Sequence, residues 1–231
     1  MNLGYRILKA VLSPLMRAFY RVEVEGLDNL PVDGSAIIAA NHLSFVDSLF
    51  IPLVIRRKVT FLAKKEYFDD PRKAWFFRSA GQIPCDRSDG TEALESAEEV
   101  LRGGGIVAIF PEGTRSRDGR LQRGRTGVTR LALATEAPVI PCGLIGTDKV
   151  MPVGMNRPRV RRRKRVVVSF GHPIDLRRWI GFGSEAVATR PATDHLMLKI
   201  SRLSRQTYAG WEPSFSTIDQ RTSEALASTS S

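Results

Sequence analysis

The sequence predicts an α/β fold, with a central, mostly parallel sheet flanked by helices and an amphipathic helix in front of it. Two patterns carry that expectation. Short unbroken apolar runs at 36–40, 106–110 and 139–145 read as strands buried on both faces. Between them lie segments whose apolar residues recur at three-to-four spacing, the period of a helix with one buried face. Neither an internal repeat nor a linker divides the chain, so one domain is expected over residues 22–210.

Residues 3–19 place Leu3, Ile7, Leu8, Val11, Leu12, Leu15, Met16 and Phe19 on a helical period. Pro14 falls inside the pattern, where its ring opposes a straight helix. The charged positions are all basic: Arg6, Lys9 and Arg17. Such a helix suits a membrane interface and equally suits packing on its own domain. Residues 1–21 are therefore set apart as an amphipathic, membrane-surface helix. A short strand at 22–24 and a turn-rich loop at 26–34 lead to the strand 36–40. A helix at 47–55, a strand at 59–63, a helix at 71–79 and a brief strand at 82–84 follow. Helix 91–102 carries Glu92, Glu95, Glu98 and Glu99 on its wet side and stops at the glycines of 103–105. Then come strand 106–110, helix 126–135, strand 139–145, strand 166–170 and a last helix at 194–208. Residues 211–231 are polar and rich in Ser and Thr, the composition of an unordered tail.

A hydrophobic content of 42% in 231 residues is enough for a sizeable core. Lys and Arg number 35 against 24 Asp and Glu, and the net charge of +11 favours a polyanionic partner: nucleic acid, anionic lipid or a phosphorylated substrate. The two cysteines, Cys85 and Cys142, have no His or Cys cluster around them, so no metal site is expected. Two thiols also do not make a disulfide-stapled secreted protein. No run approaches the roughly 18 apolar residues of a membrane span, and the start lacks a signal-peptide pattern. The expectation is an intracellular protein that does not cross a membrane.

Asn41-His42-Leu43-Ser44-Phe45-Val46-Asp47 follows directly on the strand 36–40. In α/β sheets ligands bind beyond the carboxyl ends of strands, so His42 stands where chemistry is expected. Within one helix, His42 and Asp47 would point about 140° apart. They meet only if His42 sits in the turn and Asp47 opens the next helix, a position that suits a carboxylate. A carboxylate on one imidazole nitrogen leaves the other as a base. The alternative is that both residues merely cap the turn. Phe110-Pro111-Glu112-Gly113-Thr114-Arg115-Ser116 also follows an apolar strand. Pro111 ends the strand ladder, Gly113 permits a tight turn, and Arg115 offers a planar fork for phosphate. A loop ion pair between Glu112 and Arg115 is the plainer reading. Segment 81–88 is a third strand exit, where Arg87 either meets a second phosphate or pairs with Asp86. Val139-Ile140-Pro141-Cys142-Gly143 reads as core, or as the floor of an acyl pocket.

These four segments, in this order, resemble the four motifs of the glycerolipid (lysophospholipid) acyltransferase family, typified by 1-acylglycerol-3-phosphate acyltransferase. The first motif, N-H-x-S-x-x-D, is met by Asn41, His42, Ser44 and Asp47. The third, F-P-E-G-T-R-S, is met at every position from Phe110 to Ser116. The second is met at Gly81, Arg87 and Ser88, and the fourth is looser. The resemblance implies transfer of a fatty acyl group from acyl-CoA or acyl carrier protein to the free hydroxyl of a lysophospholipid, by default 1-acylglycerol 3-phosphate giving phosphatidate. Another lysophospholipid or glycerol phosphate is the alternative acceptor. It assigns catalysis to His42 and Asp47, and acceptor binding to Arg87, Glu112, Gly113, Thr114 and Arg115. It implies no cofactor beyond the thioester co-substrate and no covalent enzyme intermediate at Ser44 or Cys85.

Residues 157–165 hold seven basic residues in nine, and without them the net charge would be +4 instead of +11. Arg115, Arg117, Arg120, Arg123, Arg125 and Arg130 form a second basic belt. Anionic head groups suit both, at roughly 1 kcal/mol per basic residue near the surface. The rival is a non-catalytic basic protein binding lipid or nucleic acid. Nucleic acid is not expected, because residues 157–165 contain no aromatic ring for stacking. The expected location is peripheral, on the cytoplasmic face of a membrane.

Overall fold

The computed structural model describes residues 3–86, 90–155, 157–159, 164–182 and 185–210. In chain order the first half comprises α1 (Leu3–Phe19), β1 (Tyr20–Glu25), β2 (Ala36–Ala40), α2 (Asp47–Val54), β3 (Val59–Lys64), α3 (Pro71–Ser79) and β4 (Ile83–Cys85). The second comprises α4 (Thr91–Arg102), β5 (Ile106–Ile109), α5 (Gly127–Thr135), β6 (Val139–Ile145), α6 (Thr147–Val150), β7 (Lys164–Phe170) and α7 (Glu185–Ser204).

The strands form one seven-stranded sheet in the order β1-β7-β6-β2-β5-β3-β4. All neighbours run parallel except β6 and β7. β2 lies at the centre, and every one of its residues is buried. Its alternation divides two cores. Ala36, Ile38 and Ala40 pack with Phe50 and Ile51 of α2, whereas Ile37 and Ala39 pack with Ala97 of α4, Leu131 of α5 and Leu196 of α7. Burying each of the isoleucine, leucine and phenylalanine side chains among them contributes roughly 1.5–3 kcal/mol, which fixes β2 and the loop that leaves it.

Most expected elements are present within a residue or two, and the sheet is mostly parallel as predicted. The last helix differs. It spans Glu185–Ser204, running through Pro191, and Arg205 ends it with φ 59°. Residues 206–208 do not continue it because Leu121 offers a strand-like partner: its N–H donates to Thr207 O at 2.9 Å. β7 begins earlier than predicted, because Lys164 and Arg165 pair with Tyr20 and Arg21 of β1. The short α6 and the 3₁₀ turns at Leu27–Asn29, Lys65–Tyr67 and Leu176–Phe182 went unpredicted, being too short for a periodic signal. The expected tail at 211–231 lies outside the described residues.

α1 is more than an appendage. Tyr5 is buried, and its hydroxyl accepts the Val59 N–H at 3.2 Å. Lys9 Nζ donates to the carbonyls of Ile55 and Arg56, just past the end of α2. The opposite side of α1 leaves Leu3, Ile7, Val11, Leu15 and Phe19 exposed. No helix among the described residues is long and apolar enough to cross a membrane.

Candidate active site

β2 and β5 are adjacent, and Ala39 stands opposite Ile109. His42 and Glu112 each lie three residues beyond that pair, so both loops leave the carboxyl edge of the sheet side by side. His42 sits in the turn and Asp47 is the first residue of α2, the arrangement that lets a five-residue spacing close. His42 Nδ1 lies 2.9 Å from Asp47 Oδ2. The same oxygen accepts the N–H groups of Leu43 and Ser44, each at 2.7 Å. Asp47 is fully buried, and its Oδ1 has no hydrogen-bond partner among the described residues. Asp47 accepts a hydrogen bond from the Nδ1–H, which fixes the tautomer and leaves Nε2 as the nitrogen free to accept a proton. The ring is 14% exposed and stacks on Phe110, with centroids 3.9 Å apart and planes at 11°.

The neighbours of His42 are fixed in turn. Asn41 extends the β2–β6 pairing with its side chain: Oδ1 accepts Leu144 N–H at 2.7 Å and Nδ2 donates to Leu144 O at 2.9 Å. Ser44 is fully buried and donates its hydroxyl to Met151 O at 2.6 Å, which spends it on structure.

Glu112 is only 4% exposed, and it turns inward instead of joining the cavity wall, where contact with an acceptor was expected. Its Oε1 accepts the N–H of His42 at 2.7 Å and its Oε2 that of Gln122 at 2.8 Å. Ser116 N–H donates to His42 O at 2.8 Å, so both backbone groups of His42 are gripped by the neighbouring loop. Burial pushes the Glu112 carboxyl up to about 7, against the two N–H bonds that favour its anion. Gly113 has φ 67°, a backbone conformation that favours glycine, and a Cβ there would also press on Arg125 Nε at 2.9 Å.

Gly113, Thr114 and Arg115 do line a cavity of about 650 Å³, as does His42. Part of its wall is apolar: Leu8, Leu12 and Met16 of α1, Phe45, Leu49 of α2 and Phe77 of α3. Another part carries Arg115, Arg117, Arg125 and Arg130. The last three read from sequence only as a basic belt, and the contribution of α1 went unpredicted. Its signal was a second apolar stripe, Leu8-Leu12-Met16, beside Leu3-Ile7-Val11-Leu15. Cys85 lies on the wall, whereas residues 139–142 are buried in β6 and form core, not a pocket floor. Arg87 and Ser88 lie outside the described residues. In the basic run, residues 160–163 do too, while Arg165 is paired: its Nη2 lies 2.6 Å from Glu23 Oε2 across the β1–β7 edge.

A carboxylate-bound histidine at the exit of the central strand, gripped by an F-P-E-G-T-R-S loop, matches a known class. The acyltransferase family model covers residues 21–145, and the chain belongs to that family. Among its relatives is the chloroplastic 1-acyl-sn-glycerol-3-phosphate acyltransferase LPAT1 of Arabidopsis thaliana, 38% identical over 140 residues, which are 59% of this chain and 39% of that protein. Another is a 1-acyl-sn-glycerol-3-phosphate acyltransferase of Cocos nucifera, 35% identical over 148 residues, which are 62% of this chain and 47% of that protein. The chain thus spans about two fifths to one half of the length of the curated relatives it matches. The crystal structure of the 1-acyl-sn-glycerophosphate acyltransferase PlsC from Thermotoga maritima superimposes with a TM-score of 0.67 at 27% identity, covering 90% of this chain and 83% of that one.

Proposed function

We propose that the chain transfers a fatty acyl group from a thioester, acyl-CoA or acyl carrier protein, to the free hydroxyl of 1-acylglycerol 3-phosphate, forming phosphatidate. The supporting observation is the His42–Asp47 pair on the wall of a cavity that is apolar in one part and cationic in another. His42 Nε2 takes the proton of the acceptor hydroxyl while Asp47 steadies the imidazolium. The freed oxygen attacks the thioester carbonyl, the C–S bond breaks, and His42 returns the proton to the leaving thiolate. The thioester supplies the driving force, and the reaction calls for no metal or redox cofactor. Arg115 meets the acceptor phosphate, and the apolar wall takes acyl chain. Glu112 acts through His42 as a positioning residue.

We infer peripheral attachment to an anionic membrane on its cytoplasmic face; the exposed apolar stripe of α1 and its Arg6 and Arg17 support the attachment itself. The test of the whole reading is a product assay with purified protein, labelled acyl-CoA and a panel of lyso-acceptors. Labelled phosphatidate is the expected product. Free fatty acid as the main product would point to hydrolysis instead, and no turnover with any acyl thioester would overturn the reading.

A further inference from the structure

The loop that carries Arg115 is held from a second side by the segment leaving α7. Leu121 N–H donates to Thr207 O at 2.9 Å, and Ala209 N–H donates to Leu121 O at 2.8 Å. Immediately before those contacts, Gln206 sends its side chain to two loops of the site. Its Oε1 accepts from Asn41 Nδ2 at 2.7 Å, and its Nε2 donates to Gly119 O at 2.8 Å. Asn41 is fully buried and immediately precedes His42, and Gly119 lies in the turn just beyond Arg115 and Arg117. The main chain of Gln206 is itself anchored, since its carbonyl accepts the Ser201 hydroxyl at 2.5 Å and its N–H donates to Ser201 O at 3.2 Å. Gln206 lies outside the stretch 21–145 that carries the family signature.

We propose that Gln206 is a positioning residue for acyl transfer, setting the arginine loop relative to His42. A primary amide donates and accepts at once, and both ends are used here. Residues 110–126 contain no helix or strand of regular length, so cross-links decide where Arg115 stands. Glu112 supplies one, from His42 N–H to Gln122 N–H, and Ser116 N–H on His42 O a second; Gln206 adds a side-chain link from Asn41 to Gly119, farther round the loop. The inference rests on the proposed function for its kinetic readout, but not for its structural one.

The test uses the full chain with Gln206→Ala and Gln206→Glu. Transfer from acyl-CoA to lysophosphatidate is measured alongside NMR of the His42 imidazole, assigned with His42→Ala. Gln206→Ala removes both bonds; kcat/KM is expected to fall by up to about 10²-fold, the cost of a misplacement near 1 Å, and the His42 resonances to shift. Gln206→Glu keeps an acceptor for Asn41 but sets a carboxylate against Gly119 O. It is expected to leave the His42 resonances in place and to raise acceptor KM more than it lowers kcat. Wild-type kcat, KM and resonances in both variants, or losses that only track the unfolded fraction, would overturn the proposal. If the wild type transfers no acyl group, the proposed function fails, while the resonance comparison still decides the role of Gln206.

Discussion

Glu112 Oε1 accepts the backbone N–H of His42 at 2.7 Å, so the loop after β5 holds the loop after β2 through a buried carboxyl. That carboxyl is pushed from its ordinary 4.5 up to about 7, chiefly by burial. The folded chain therefore binds the proton more tightly than the unfolded chain. This contribution to stability is fully present below 4.5 and is lost as pH rises through about 7. The loss is on the order of 3 kcal/mol. Glu112→Gln cannot titrate, so its stability is expected to fall less than the wild type's across this window. Denaturant melts of both proteins at several pH values check this, and parallel curves would remove Glu112 as the source.

Asp47 Oδ2 accepts three hydrogen bonds, from His42 Nδ1 and from the N–H groups of Leu43 and Ser44. Removing the ring and misdirecting it are therefore separable. His42→Ala is expected to lower turnover by about 10² to 10⁴-fold in protein that still folds, far more than its loss of stability accounts for. Asp47→Asn no longer holds a negative charge behind the imidazolium and is expected to lose activity to a similar degree, with acceptor KM little changed. Near-wild-type transfer by folded His42→Ala would remove it as the base.

The fold was legible where local and global preferences agree. The runs 36–40 and 139–145 are strands at the predicted bounds, because residues buried on both faces must be apolar throughout. The pairing of His42 with Asp47 was legible too, since a five-residue gap closes only in a turn that opens a helix. What escaped was tertiary in origin. Nothing local says that Glu112 spends both oxygens on backbone, that α1 walls the cavity, or that Gln206 reaches Asn41 across 165 positions. The end of α7 was misread because the partner that draws residues 207–209 out of the helix, Leu121, is far away in sequence.

Arg115 lines the cavity half-buried, with its loop turned by Gly113 and its wall shared with Arg117, Arg125 and Arg130. A guanidinium–phosphate contact is worth about 1.5–3 kcal/mol, so Arg115→Ala is expected to raise acceptor KM roughly 10- to 100-fold. The donor KM is expected to move little. Initial rates over a grid of acceptor and donor concentrations separate the two. Equal rises in both would argue against a phosphate contact at Arg115.

Gly143 lies in β6 where α7 crosses it, and a Cβ there would come 2.6 Å from both Leu203 Cβ and Ser204 N. The helix backbone cannot retreat without opening the core, so Gly143→Ala is expected to cost about 1–3 kcal/mol through overpacking. Thermal or denaturant melts measure it. An unchanged midpoint would mean that the end of α7 yields freely.

α1 carries two apolar stripes with different fates. Leu8, Leu12 and Met16 face the cavity, whereas Leu3, Ile7, Val11 and Leu15 are exposed at four-residue intervals, Leu3 at 70%. An exposed stripe of this length flanked by arginines suits a lipid-facing surface, and the proposed membrane attachment rests on it. Replacing Ile7, Val11 and Leu15 by Ser removes the apolar surface of three exposed side chains that lipid would cover, roughly 1.5–3 kcal/mol each. Binding to vesicles containing anionic lipid is expected to fall at least about 100-fold, while transfer to detergent-dispersed acceptor stays within about twofold, because the cavity stripe is untouched. Raising the salt is expected to weaken the remaining attraction to anionic vesicles and to leave binding to neutral ones unchanged. Undiminished vesicle binding by the triple variant would place the lipid contact elsewhere on the molecule.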